Sequence, residues 1–154
     1  MQADDYGLGI AIGNPEVTLE QLVTAYAMLA NGGEYQPLRC TLAEASRDPV
    51  PLLSAQSSWL ITNILSDPSA HVLTFGSAAH LDFPYRVAWK TGTSNGYRDS
   101  WICGYTPEYT VGVWAGNFGG DATYHLSGSE GAGGIFADAV KELYQGSNPG
   151  IVER

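Results

Sequence analysis

Val87-Ala88-Trp89-Lys90-Thr91-Gly92-Thr93-Ser94 is the stretch on which the reading of the whole chain turns. Tyr85, Val87 and Trp89 alternate with Arg86, Ala88 and Lys90, the period of a strand half buried on one face. The strand runs into Lys90-Thr91-Gly92-Thr93, which offers an ammonium, two hydroxyls and a backbone with no side chain in the way. Such a strand end can present all of these to one small anion, and glycine allows close approach. Lys90 is one of two lysines in the chain, the other being Lys141. Taken alone, Lys-Thr-Gly reads more readily as an exposed strand lysine followed by a turn than as a site.

The flanking sequence supplies more strands. Asn95-Gly96-Tyr97-Arg98-Asp99 is turn-rich. Ser100 to Tyr105 reads as a strand, Thr106-Pro107-Glu108-Tyr109 as a turn and Thr110 to Gly116 as the returning strand. The second half therefore predicts three neighbouring antiparallel strands. Gly119-Gly120 and Ser127 to Gly134 read as loops. A last helix is expected from about Ile135 to Tyr144, with Ile135, Phe136, Ala139, Val140 and Leu143 facing inward. The segment Gly146-Ser147-Asn148-Pro149-Gly150 reads as a linker or fraying end.

The first half is helical with explicit boundaries. Thr18-Leu19-Glu20-Gln21 fits a capping box, with Val17 and Leu22 placed for a hydrophobic staple. Leu19, Leu22, Val23, Tyr26, Leu29 and Ala30 recur at helical spacing, and Asn31-Gly32-Gly33 stops the helix. Ahead of it, residues 7–13 are apolar and glycine-rich and read as a tight loop. Residues 34–54 are extended and looping, broken by Pro37, Pro49 and Pro51. A second helix is predicted over Ala55 to Leu65, capped by Ser54, with an apolar side of Trp59, Leu60, Ile64 and Leu65. Asp67-Pro68 ends it, and residues 69–83 read as a long connection.

Composition bounds the function. The chain has 154 residues, 44% hydrophobic, enough for one modest domain with a core. A formal charge of −9 excludes a general nucleic-acid binder, which needs basic patches. No apolar run approaches a membrane span, and Met1-Gln2-Ala3-Asp4-Asp5 carries no signal-peptide pattern. Cys40 and Cys103 have no metal-site spacing. They read as two separate small hydrophobic residues, with a bridge between them left open.

Two other site chemistries fail on context. Gly92-Thr93-Ser94-Asn95-Gly96 matches Gly-x-Ser-x-Gly, and Asp99 or Asp121 with His125 would complete a triad order. That elbow needs a strand, a sharp turn and a helix, whereas here Gly96 and a second strand follow. His125, like His71 and His80, reads as an ordinary histidine. The Ser127 to Gly134 run could cradle a phosphate at the last helix. It matches no nucleotide fingerprint, and Glu130 would repel the anion.

Lys-Thr-Gly is one of the motifs of penicillin-binding proteins and class A β-lactamases. The whole run from Val87 to Trp101 resembles the third strand and following turn of the penicillin-binding protein transpeptidase domain. Gly104-Tyr105-Thr106-Pro107 and Tyr109 to Asn117 are similar to its next two strands. Val17-Thr18-Leu19 and Ala25-Tyr26-Ala27-Met28-Leu29-Ala30-Asn31-Gly32-Gly33 resemble its helix and glycine stop. The likeness covers roughly residues 6–145 and is closest to the bifunctional class A enzymes, the penicillin-binding protein 1C branch in particular.

The resemblance implies an α+β fold, an antiparallel sheet flanked by helices. It implies residues 1–145 as the C-terminal portion of a transpeptidase domain and 146–154 as a tail or linker. Lys90 would serve proton traffic and electrostatics beside the serine of a Ser-x-Asn motif. Thr91 and Thr93 would bind the carboxylate of a stem-peptide D-alanine or of a β-lactam. Gly92 would give clearance, and the Thr93 N–H would be half an oxyanion hole, a donor typically worth ~3 kcal/mol. The reaction is acyl transfer through a seryl intermediate, with no cofactor or metal.

The sequence departs from the pattern in two motifs. Ser-x-x-Lys is absent, since Val87 and Asp138 stand three residues before the two lysines. Ser-x-Asn is absent as well. In the family both lie N-terminal to the point where this chain begins. The expectation is a catalytically silent piece whose partner is the missing N-terminal half, acting at the extracytoplasmic face of the inner membrane within the full-length protein. The alternative is a non-catalytic structural or interaction module that kept the scaffold. Either way an open strand edge at Thr110–Gly116 invites self-association.

Overall fold

The computed structural model describes residues 7–13, 15–75, 81–123 and 129–145. Its centre is a three-stranded antiparallel sheet of β3 (Ala88–Thr93), β4 (Asp99–Tyr105) and β5 (Thr110–Gly116), in the order β3-β4-β5. The register pairs Lys90 with Cys103 and Cys103 with Gly112, so these three share a face. Trp89, Gly104 and Val111 form the neighbouring row on the opposite face. The fold class is α+β, an antiparallel sheet flanked by helices, as read from the sequence.

Helix α1 (Leu19–Ala30) covers the Cys103 face. A Cβ placed on Gly112 would lie 2.4 Å from Val23 Cγ2 and 3.1 Å from Leu19 Cδ1, so glycine there lets helix and sheet close up. Helix α4 (Ala132–Leu143) covers the other face, where a Cβ on Gly104 would lie 2.7 Å from Phe136 Cζ. The main core is on this side: Val87, Trp89, Ile102, Phe136, Val140 and Tyr144 are buried together. A small two-stranded ladder, β1 (Glu34–Tyr35) with β2 (Val50–Pro51), follows α1. Helix α2 (Ala55–Leu65) joins the α1 side through a 2.7 Å hydrogen bond between the Thr62 and Tyr105 hydroxyls.

The cap signals act as the sequence reads. Thr18 Oγ1 accepts from the Gln21 N–H at 3.2 Å, and the Thr18 N–H donates to Gln21 Oε1 at 3.0 Å. Ser54 Oγ accepts from the Ser57 N–H at 3.1 Å. Gly33 has φ +99 and sits tightly against the Leu53 carbonyl, a position that only glycine fills without strain.

Several expectations are corrected. Residues 68–75 are not a connection but a third helix, α3 (Pro68–Phe75). Pro68 stops α2, and its fixed φ and missing N–H suit the first turn of the next helix. Residues 7–12 form a 3-10 turn, not a tightly packed loop, and Leu8 and Ile12 are exposed. Helix α4 starts at Ala132, inside the expected loop. Its buried residues are Ala132, Gly133, Phe136, Ala137 and Val140, while Ile135 and Leu143 are exposed. The apolar side of α2 also faces outward: Trp59, Leu60 and Ile64 are each more than half exposed, and Ser58 is buried instead. Cys40 is exposed and Cys103 buried, and both are free thiols. The expected tail at 146–154, His80 and His125 lie outside the described residues.

Candidate substrate-carboxylate site at the β3 edge

The strand expectation shifts by three residues. Tyr85 and Arg86 precede β3, and Arg86 donates to Ser66 Oγ at 2.7 Å and to Asn63 Oδ1, tying the strand entry to the end of α2. Val87, Ala88 and Trp89 are all buried, because helices cover both faces here. Burial becomes uneven at the motif: Lys90 is exposed, Thr91 buried, Gly92 half-buried and Thr93 exposed.

The pleat divides the motif. Thr91 and Thr93 lie on the α4 face, opposite Ile102 and Ser100; Lys90 and Gly92 lie on the α1 face, opposite Cys103 and Trp101. The ammonium and the two hydroxyls therefore do not share a face, which corrects the simplest picture of one convergent cluster. They share an edge instead. Lys90 Nζ donates to the Thr91 carbonyl at 2.7 Å, so the ammonium bends over the outer rim of the strand.

Backbone polarity at that rim follows from ladder parity. The Ser94 N–H donates to the Asp99 carbonyl at 3.0 Å, making Ser94 and Asp99 a hydrogen-bonded pair. In an antiparallel ladder such pairs alternate with non-bonded ones. Thr93–Ser100 and Thr91–Ile102 are then non-bonded pairs, and the N–H and C=O of Thr91 and Thr93 point away from β4. The other hairpin agrees: the Thr106 N–H donates to the Tyr109 carbonyl at 2.9 Å, which fixes the same parity from the far end of β4. Among the described residues β3 has no strand on its outer side.

The turn after the motif is held firmly. Ser94 Oγ accepts from the Asp99 N–H at 2.8 Å. Gly96 and Tyr97 both have positive φ, +71 and +56, the latter unusual for a residue with a side chain. Tyr97 is held there by its carbonyl, which accepts from the Thr123 N–H at 2.7 Å and the Thr123 hydroxyl at 2.6 Å. Asp99 Oδ1 accepts from the Trp114 indole N–H at 2.8 Å. Sequence reasoning weighed Asp99 only as a triad acid and missed this contact, because nothing local pairs it with Trp114.

The nucleophile-elbow reading has no support in this geometry. A three-residue 3-10 turn and then β4 follow Ser94, not a helix. His71 Nε2 is 2.8 Å from the Leu65 carbonyl, and its ring stacks on Trp89 at 3.8 Å, a packing role. The Cys103 thiol is pushed up to about 12 by burial, so it is no nucleophile. Among the described residues no cluster of His, Cys, Asp and Glu could hold a metal. A groove of about 510 Å³ lies between α1 and residues 36–47, lined in part by Thr24, Asn31, Arg39 and Arg47. It includes nothing from β3.

Comparison with known proteins gives one consistent family. The model of the penicillin binding protein transpeptidase domain matches residues 3–141. Penicillin-binding protein 1C of Escherichia coli (strain K12) is 33% identical over 144 residues, 92% of this chain and 17% of that protein. Penicillin-binding protein 4 of Bacillus subtilis (strain 168) is 31% identical over 124 residues, 73% of this chain and 19% of that protein. The chain thus spans less than a fifth of each. A crystal structure of a peptidoglycan glycosyltransferase from Burkholderia ambifaria has the same fold over 88% of this chain and 43% of its own, with a TM-score of 0.54 at 23% identity.

Proposed function

We propose, from the premise that this chain belongs to the penicillin-binding protein transpeptidase domain family, that it forms the substrate-carboxylate wall of a peptidoglycan D,D-transpeptidase. Thr91 and Thr93 offer hydroxyls from one face and Lys90 a cation over the same rim. The carboxylate of a terminal D-alanine, or of a β-lactam, accepts from these donors. The Thr93 N–H points outward and serves as one donor to the oxyanion that develops when a serine attacks the scissile carbonyl. Gly92 puts no side chain on the strand at this point, although a Cβ there would make only an ordinary contact with Trp101 Cβ at 3.5 Å. The outward parity of Thr91 and Thr93 is the single observation that most supports this reading.

The attacking serine is not in these residues. No Ser-x-x-Lys and no Ser-x-Asn occurs in the sequence, so the chain binds but does not acylate. Among the described residues no helix is long and apolar enough to cross a membrane. The working location is the extracytoplasmic face of the membrane, where peptidoglycan is cross-linked.

Fluorescent penicillin separates the parts of this proposal. The expected result is no covalent band on this chain in a denaturing gel, with weak reversible binding by polarisation that N-acetyl-D-alanyl-D-alanine competes away. A covalent band would overturn the silence of the chain. No reversible binding at millimolar ligand would overturn the carboxylate wall and favour a structural or interaction module.

A further inference from the structure

We infer that Asp99 and Trp114 form a latch that aims the Thr93 donor, making both positioning residues for carboxylate and oxyanion recognition. The inference rests on the function proposed above. The argument starts at Ser94, the residue after Thr93. Its N–H and its Oγ are both held by the Asp99 backbone, at 3.0 and 2.8 Å. This pair fixes the Thr93–Ser94 peptide, the plane next to the one that carries the Thr93 N–H. Asp99 is in turn held at its carboxylate, which accepts the indole N–H of Trp114 at 2.8 Å. Trp114 belongs to β5, on the far side of β4, so one carboxylate ties the β3 end to the whole sheet.

The surroundings are shaped for this contact. Gly116 is the register partner of Asp99. A Cβ there would lie 2.7 Å from Trp114 Cζ2 and 2.9 Å from the Arg98 carbonyl, so only glycine lets the indole lie across to Asp99. The Trp114 ring is braced by Trp101 at 6.2 Å and Phe118 at 5.2 Å. An ordinary hairpin end needs none of this: one backbone pair and a turn would close it. Here a half-buried carboxylate is given to a neutral indole N–H, which fixes an orientation more than it gains charge pairing.

The test uses this chain and three variants. Asp99→Ala removes the acceptor, Trp114→Phe removes only the indole N–H, and Asp99→Asn keeps an acceptor oxygen. Two readouts are taken by amide NMR: hydrogen exchange at Thr93 and Ser94, and affinity for N-acetyl-D-alanyl-D-alanine. The expected result is at least tenfold faster Ser94 exchange and at least fivefold weaker binding in Asp99→Ala and in Trp114→Phe. Asp99→Asn is expected to stay within twofold of the parent, and the downfield indole N–H resonance of Trp114 to persist only there and in the parent. Unchanged exchange at Ser94 in both disruptive variants overturns the latch. If the parent binds no peptide, the carboxylate wall fails, while the exchange readout still decides the latch. Faster exchange with unchanged affinity would overturn its role in recognition.

Discussion

Single residues in this chain are decided by how close backbones must come. Gly104 is the clearest case. A Cβ there would lie 2.6 Å from the Ala88 carbonyl and 2.7 Å from both Trp89 Cβ and Phe136 Cζ, with no flexible neighbour to give way. Gly104→Ala is expected to cost about 1–3 kcal/mol, the usual range for overpacking a filled core, read as a lower urea midpoint. An unchanged midpoint would mean that β4 and α4 are further apart than described. The two thiols should behave oppositely. Cys40 is exposed and reacts with a disulfide reagent at once; Cys103 is 1% exposed, with its thiol raised from 9.0 to about 12, and reacts only on unfolding. The sign for stability follows. Below pH 9 this thiol is protonated in both states and contributes no pH dependence. Between pH 9 and about 12 only the unfolded thiol ionises, so stability falls as pH rises. Two thiols titrating rapidly in the native protein would contradict the burial. Tyr26, raised to about 12 by the same burial, adds to the alkaline loss.

Elements show which signals are local and which are not. The boundaries of α1 and α2 were legible because a cap is written in four consecutive residues. Thr18→Ala removes the acceptor for the Gln21 N–H and is expected to cost ~1 kcal/mol in thermal or urea unfolding, while Thr18→Ser should keep most of it. No loss in Thr18→Ala would remove the capping box as a stabilising feature. Helix α3 was not legible, since the proline that reads as a stop for α2 is also the start of α3. The outward apolar side of α2 was hidden for another reason. Periodicity finds a stripe but not the surface that stripe meets. The motif at β3 was legible as a motif. Its division into two faces was available too, since alternation along a strand already separates Lys90 from Thr91. The Asp99–Trp114 contact was out of reach, because it joins residues that come together only through the register of two hairpins.

At the scale of the molecule, the cover is uneven. The α4 face is packed with buried residues, whereas α1 has none that is fully buried and α2 only Ser58. Both outer strands of the sheet lack a further strand among the described residues. β5 carries neither charge nor proline, the usual devices that keep an edge from pairing. Trp59, Leu60 and Ile64 add an exposed apolar patch on α2. This chain alone is expected to self-associate, with mass by light scattering rising above that of one chain as concentration increases, and Trp59→Lys with Leu60→Lys lowering it. A constant single-chain mass at high concentration would contradict that expectation. In either outcome the β3 rim stays a separate question, because β3 and β5 are opposite edges of the sheet.

The most direct measurement of the central claim is amide chemical-shift mapping with N-acetyl-D-alanyl-D-alanine. The account expects saturable shifts concentrated at Thr91, Gly92 and Thr93, with the Lys90 ammonium perturbed and the pattern lost in Thr93→Val. Saturable shifts confined to the groove lined by Thr24, Asn31, Arg39 and Arg47, with the β3 rim silent, would contradict it.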